Sequence, residues 1–110
     1  MPYSKIAEIL AREPGVELST MMKSPCLRYQ GDFVAMMFEQ EDCLIVKLSA
    51  ERVDTLIAAG IGLEFSFTKK TFKEWVLIPR RFEDEFEAYV QEALDHAKLR
   101  KQPGSNTPET

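Results

Sequence analysis

The stretch VELSTMMKSPCLRYQGDFVAMMFEQEDCLIVKL, residues 16–48, decides the fold of this chain. Apolar and polar residues alternate over Val16–Met21, which is the period of a strand covered on one side. Further strand-forming runs follow at Cys26–Gln30, Phe33–Phe38 and Cys43–Leu48. Gly31-Asp32 and Glu41-Asp42 leave only short turns between these runs. We expect an antiparallel meander, because parallel neighbours need a crossover of about a dozen residues.

Helical periodicity flanks this stretch on both sides. The predicted helices cover Tyr3–Glu13 and Ala50–Ala59. Two further strands are predicted at Leu63–Phe67 and Trp75–Ile78, around a loop at Thr68–Lys73. The last predicted helix has an apolar stripe that consists of Phe82, Phe86, Val90, Ala93 and Ala97. Pro14-Gly15 and Gly60 are the expected helix stops, and Ser49 is the expected N-cap. The sequence therefore predicts an α+β domain, a two-layer α/β sandwich in the order α-β-β-β-α-β-β-α, with a mainly antiparallel five-stranded sheet and helices on one main face.

Length and composition indicate one globular domain. The chain has 110 residues, of which 45% are hydrophobic and 29% are charged, and this balance is typical of a folded protein with one core. We expect the domain to occupy residues 1–101. Residues 102–110 contain Pro, Gly, Ser, Asn and Thr but no apolar side chain, so we expect a disordered tail.

The charge and the N-terminus limit the expected partners. A net charge of −4 repels phosphate backbones, so we expect no direct nucleic-acid binding. No uninterrupted apolar run of a signal peptide or membrane span is present, which predicts a cytoplasmic protein without a membrane partner. The two cysteines, Cys26 and Cys43, are expected to be buried thiols rather than a disulfide.

Four segments between about Val16 and Ala97 carry a family resemblance. They are TMMKSPCL at residues 20–27, GDFVAM at 31–36, VKL at 46–48 with Arg52-Val53 and Gly60, and KEWVLIP at 73–79. Together they resemble the TfoX N-terminal domain family (TfoX/Sxy-like). Where many members have Met-Phe-Gly before the second strand, this chain has Met21-Met22-Lys23. The first helix with Pro14-Gly15-Val16 is also similar to the YjbR family, which shares a secretion-chaperone-like fold.

The resemblance implies a bacterial regulatory or protein-binding module without catalytic activity. Full-length TfoX proteins regulate natural competence, and their N-terminal domain has no established reaction. A chain of 110 residues has no room for the second domain of those regulators, so we expect the fold to carry over and the biological role to remain uncharacterised.

Catalytic and ligand-binding patterns are sparse. His96 is the single histidine and no nucleophile, base and acid are spaced as a triad. The glycines form neither a P-loop nor a dinucleotide fingerprint, and the acidic clusters do not follow a calcium-loop pattern. We therefore expect no cofactor, no metal and no enzyme. Two alternatives remain open: a small-ligand-binding protein that uses an apolar sheet face, and a thiol enzyme centred on Cys26, whose cationic neighbours in sequence are Lys23 and Arg28.

Two groups of residues are candidate interaction surfaces. A locally basic region, expected to meet a partner or an anion unless it is only a solvated loop, consists of Lys69, Lys70, Lys73, Arg80 and Arg81. An apolar interface for a partner or a homodimer is expected at Met21, Met22, Met36 and Met37, unless helices cover part of each sheet face. Trp75 is expected to anchor the core, with Glu74 facing solvent or the loop lysines.

Overall fold

The structure is a computed structural model that describes residues 2–67 and 69–101. The predicted disordered tail at 102–110 lies outside the described residues. The elements are α1 (Tyr3–Leu10), β1 (Val16–Met21), β2 (Ser24–Tyr29), β3 (Asp32–Phe38), β4 (Cys43–Lys47), α2 (Ala50–Ala58), β5 (Leu63–Phe67), β6 (Lys70–Pro79), a 3-10 helix (Arg80–Glu85) and α3 (Phe86–Lys101).

All strands of the sheet run antiparallel, in the order β1-β2-β3-β4-β6-β5. The expected antiparallel α+β class is confirmed. The expected count of five strands is wrong, because the described sheet has six. The order α-β-β-β-α-β-β-α counts three strands between α1 and α2, whereas all four of the strand-forming runs in residues 16–48 are strands.

A two-residue turn at Met22-Lys23 joins β1 to β2. Both residues have left-handed backbones, with φ of 52° and 64°, and Met21 pairs with Ser24 across the turn. Two positive φ angles define the tight turn whose twist suits a hairpin, and the usual signal for it is Asn-Gly or Gly-Gly. Neither Met22 nor Lys23 is glycine, so each of these left-handed residues carries a strain of about 1 kcal/mol. Without a glycine, the turn has no local sequence signal.

The helices all pack on one face of the sheet. Their buried side chains are Tyr3, Ile6, Ala7 and Leu10 of α1, Val53 and Leu56 of α2, and Phe86, Tyr89, Val90, Ala93, Leu94 and Ala97 of α3. They form one cluster with strand residues such as Leu27, Leu44 and Val46. The Ser49 side chain accepts a hydrogen bond from the Arg52 amide, and Gly60 has a φ of 79°, so the predicted cap and stop of α2 are confirmed.

The face without helices carries a second core. Its buried members are Cys26, Phe33, Met36, Phe38, Cys43, Ile45, Phe65 and Leu77. A bulge turns Phe33 toward this face: Leu27 pairs with Ala35 and Arg28 with Phe33, which leaves Val34 as an extra residue on β3. Val34 and Ala35 therefore both join the helical face, and Phe33 is free to pack on the other side.

A larger register shift in the β5–β6 hairpin closes this second core. Glu64 pairs with Val76 and Ser66 with Thr71, so the single residue Phe65 lies opposite the four residues 72–75. Phe72 and Trp75 both reach the Phe65 ring, at centroid distances of 5.4 and 5.5 Å.

Trp75 also stacks on Phe33 at 4.3 Å. It thus packs on the core of the helix-free face and remains half-buried. The predicted loop is wrong over residues 70–73, because β6 already begins at Lys70.

Candidate functional site

The five basic residues identified in the sequence form two separate groups. Lys69, Lys70 and Lys73 lie on the β5–β6 hairpin, whereas Arg80 and Arg81 begin the 3-10 helix beyond the other end of β6. At about 3.3 Å per strand residue, Lys73 and Arg80 are roughly 23 Å apart along β6. A single ligand of ordinary size would not contact both groups.

The two arginines already have local partners. The Arg80 guanidinium donates hydrogen bonds to Asp42 Oδ1 and Glu83 Oε2, each at 3.0 Å. The Arg81 guanidinium lies 4.8 Å from the centroid of the Phe82 ring. These contacts give the arginines a structural role at the start of the last helical segment, and leave the hairpin lysines as the candidate group.

Lys47 of β4 joins the hairpin lysines at a shallow depression of about 450 Å³. The residues that line it, which we name the basic aromatic patch, are Lys47, Lys70, Thr71, Phe72, Lys73, Glu74 and Trp75. Lys47 pairs with Trp75 in the β4–β6 register. Sequence reasoning missed Lys47, because the register between two strands separated by a helix and another strand has no local signal.

The patch combines cations with aromatic faces. Three lysines and one acidic residue, Glu74, line the patch, and the Lys47 Nζ is 3.9 Å from Glu74 Oε1. The Lys70 Nζ lies 5.2 Å from the centroid of the Phe72 ring. Because an exposed pair at this distance contributes little, the lysines remain available to a partner. The patch is therefore locally positive in a chain with a net charge of −4.

A smaller groove of about 210 Å³ borders the patch on its α2 side. Val53, Asp54 and Ile57 of α2 form one wall, and Phe72 and Trp75 line the groove as well as the patch. Ile57 is 37% exposed. The groove is of mixed character, because the carboxylates of Asp54 and Glu64 line it beside these apolar side chains.

The four methionines divide between core and surface. Met36 belongs to the core of the helix-free face and Met37 to the helical core, and both are buried. Only Met21 and Met22 are half-buried, at the margin of the helix-free core. The side chains available for an apolar interface in this region are therefore those of Met21 and Met22.

Both thiols are buried. Cys26 is 1% exposed and belongs to β2, whereas Cys43 is 6% exposed and belongs to β4. The intervening strand β3 keeps the two cysteines about two strand spacings, or roughly 9.6 Å, apart, which is beyond the reach of a disulfide. Burial raises the pKa of the Cys43 thiol, and the charges of Glu41 and Asp42 raise it further.

The burial of both thiols predicts low reactivity in the folded protein, and this prediction tests the thiol-enzyme alternative. We expect Cys26 and Cys43 in the folded protein to react with a disulfide reagent at least ~100-fold more slowly than in urea, because the chain must open to expose them. Stopped-flow absorbance on the Cys26→Ser and Cys43→Ser variants would separate the two rates. A Cys26 thiol that reacts in the folded state as fast as in urea would support the alternative.

The remaining polar side chains of the described residues do not converge on a metal-binding centre. Among residues 2–67 and 69–101, no cluster of three or more His, Cys, Asp or Glu side chains is placed to hold a metal ion. His96 lies half-buried on α3, where burial lowers its pKa and the Arg100 guanidinium lowers it further. No helix in the described part of the chain is long and apolar enough to span a bilayer.

The fold and the patch define an α+β protein with an antiparallel sheet, helices on one face, and a basic aromatic surface at the far hairpin. No protein-family model, no curated protein and no solved structure matches the chain.

Proposed function

We propose that this chain is a non-catalytic protein-interaction module of the TfoX N-terminal type, acting in the bacterial cytoplasm, that binds an acidic segment of a partner protein. The segments between Val16 and Ala97 that resemble the family support the module type and its secretion-chaperone-like fold. The observation that carries the proposal is the basic aromatic patch, in which Lys47, Lys70 and Lys73 surround Phe72 and Trp75.

The chemistry of the patch favours an acidic peptide that also contains apolar residues. Carboxylates would pair with the ammonium groups, which steer the encounter and select the partner. The apolar residues would cover the accessible faces of Phe72 and Trp75, and aromatic side chains of this kind are enriched at protein interfaces. A nucleic acid could use the same groups, but its long phosphate backbone would extend beyond the patch over a chain with a net charge of −4. A short acidic peptide that occupies only the patch interacts mainly with the nearby lysines, because charges more than about 8–10 Å away are largely screened by salt.

The small-ligand alternative requires an apolar sheet face, and less of that face is accessible than the sequence suggested. The apolar face that it requires is filled by the chain's own side chains, with Met36 and Ile45 fully buried. What remains is an open depression of about 410 Å³ over Phe38, Phe65 and Leu77. This alternative therefore stays a prediction that a mass spectrum of the natively purified protein would test.

Trp75 makes the proposed site directly observable, because it is the one tryptophan of the chain. We expect a synthetic peptide of alternating Glu and Leu to change the fluorescence of Trp75 in a saturable way. The Lys70→Glu/Lys73→Glu variant should bind this peptide about tenfold more weakly, since two attractive contacts become repulsive. Its thermal midpoint should stay unchanged, because both lysines are exposed.

The Lys5→Glu/Lys23→Glu variant is the matched control. It changes the net charge by the same amount at two exposed lysines outside the patch. We expect it to bind nearly as well as the unmodified chain, and an equal loss of affinity in both variants would contradict a local site. Absence of any saturable change with the unmodified chain would reject binding of acidic peptides at Trp75.

A further inference from the structure

Among the described residues, no strand pairs with the outer edge of β1. β1 ends the sheet and pairs with β2 in unbroken register from Val16 to Met21. Leu18, in the middle of the strand, is 63% exposed, and Thr20 is exposed as well. No part of the described chain covers these two residues. An uncovered edge of this kind can pair with a further strand.

The turn at Met22-Lys23 determines which backbone groups point outward. Met21 and Ser24 close the two-residue turn as a hydrogen-bonded pair, and such pairs then alternate along an antiparallel ladder. The residues of β1 that bond to β2 are therefore Glu17, Ser19 and Met21. The Gln30 amide donates to the Gly15 carbonyl at 2.8 Å, in agreement with this alternation.

Val16, Leu18 and Thr20 consequently direct their backbone groups away from the sheet. The Val16 amide is already used, because it donates to the Glu13 carbonyl at 3.2 Å. The outward donors that remain are the amides of Leu18 and Thr20, and the outward acceptors include the carbonyls of Val16 and Leu18. This set is self-complementary under a two-fold rotation about Leu18.

We propose that β1 pairs antiparallel with β1 of a second copy of this chain, with the two-fold axis between the two Leu18 residues. The two Leu18 residues exchange a pair of backbone hydrogen bonds. Each Thr20 amide donates to the Val16 carbonyl of the other copy, which makes four bonds in total. The Leu18 side chains lie opposite each other on one face, at a Cβ separation of about 5.5 Å.

The side chains of β1 favour a second copy over an unrelated strand. β1 contains no Lys, Arg or Pro, which are the residues that commonly block edge pairing. Its single charged residue, Glu17, would face Ser19 of the second copy, so no like charges meet. Such a contact is isologous and closes on itself, as in most soluble dimers.

The dimer would leave the basic aromatic patch free. β1 and the β5–β6 hairpin lie at opposite edges of the sheet. A loss of self-association would therefore leave peptide binding at Trp75 unchanged, and the two proposals can fail independently.

Sedimentation equilibrium over a concentration series tests the pairing. We expect the mass of the unmodified chain to rise with concentration from 12.6 kDa to twice that value. The Leu18→Lys variant should remain at 12.6 kDa throughout, because two ammonium groups would face each other across the axis. Leu63→Lys on the opposite edge is the matched control, since Leu63 is 52% exposed, and it should still dimerise.

Thr20→Lys provides a second variant on the proposed interface, should Leu18→Lys fail to fold. A chain that stays at 12.6 kDa over its whole soluble range would overturn the proposal. Dissociation by Leu63→Lys to the same extent as by Leu18→Lys would also overturn it. So would folded Leu18→Lys and Thr20→Lys variants that both dimerise as the unmodified chain does.

Discussion

Replacement of Phe65 by alanine is expected to lower the free energy of unfolding by about 3–5 kcal/mol, as for other buried phenylalanines. Phe65 is 4% exposed, and its ring contacts those of Phe38, Phe72 and Trp75. Truncation would leave a cavity in the core of the helix-free face, where no helix can move in to fill it. Urea unfolding followed by far-UV circular dichroism measures the loss.

Phe65→Leu is the appropriate control, because it keeps an apolar side chain at the same position and should lose clearly less stability than Phe65→Ala. The alanine variant should also change the near-UV circular dichroism of Trp75, whose ring stacks near Phe65. A loss below about 1 kcal/mol would mean that the helix-free face behaves as an exposed surface and not as a second core.

Gly62→Ala is expected to destabilise the protein by about 1–3 kcal/mol through overpacking. A Cβ atom at this position would clash with Val76 Cγ2 and would lie 3.3 Å from Leu56 Cβ. Val76 is fully buried on β6 and has a stiff, branched side chain, so it cannot turn away at low cost. Thermal and urea unfolding of the variant measure the effect.

A double-mutant cycle identifies the cause of this loss. The Gly62→Ala/Val76→Ala variant should lose less stability than the sum of the two single variants, because the added methyl occupies space vacated by valine. Gly60→Ala serves as the comparison: its φ is 79° and no atom lies within 4 Å, so only backbone strain of about 1 kcal/mol is expected. Strict additivity in the cycle would contradict a clash with Val76.

The two edges of the sheet suggest separate tasks for one small domain. The β5–β6 hairpin carries the basic aromatic patch, and β1 carries the unpaired edge. The helices cover the strands between these two edges. Within this helical layer, an ion pair from Arg52 Nε to Glu92 Oε2, at 2.8 Å, connects α2 with α3. A dimer formed through β1 would present two patches at the far ends of a continuous sheet, which would favour a partner with repeated acidic segments.

The sequence by itself determined the elements that depend on neighbouring residues. Period-two alternation identified β1, helical periodicity identified the three helices, and Ser49 and Gly60 marked the ends of α2. These signals are local, because side-chain direction within a strand or helix depends only on position along that element. The antiparallel sense also followed locally, since short turns allow no other arrangement.

Only the tertiary structure decided how these elements combine. The turn at Met22-Lys23 lacks glycine, so the tight hairpin between β1 and β2 has no local signal and depends on the pairing of the two strands. The pairing of Lys47 with Trp75 joins two strands that a helix and another strand separate along the chain. The register shift opposite Phe65 depends on the packing of its ring against Phe72 and Trp75. Register is selected by burial of the whole sheet, which no local window of sequence contains. For that reason the strands and helices could be predicted from the sequence, while the second core and the basic aromatic patch could not.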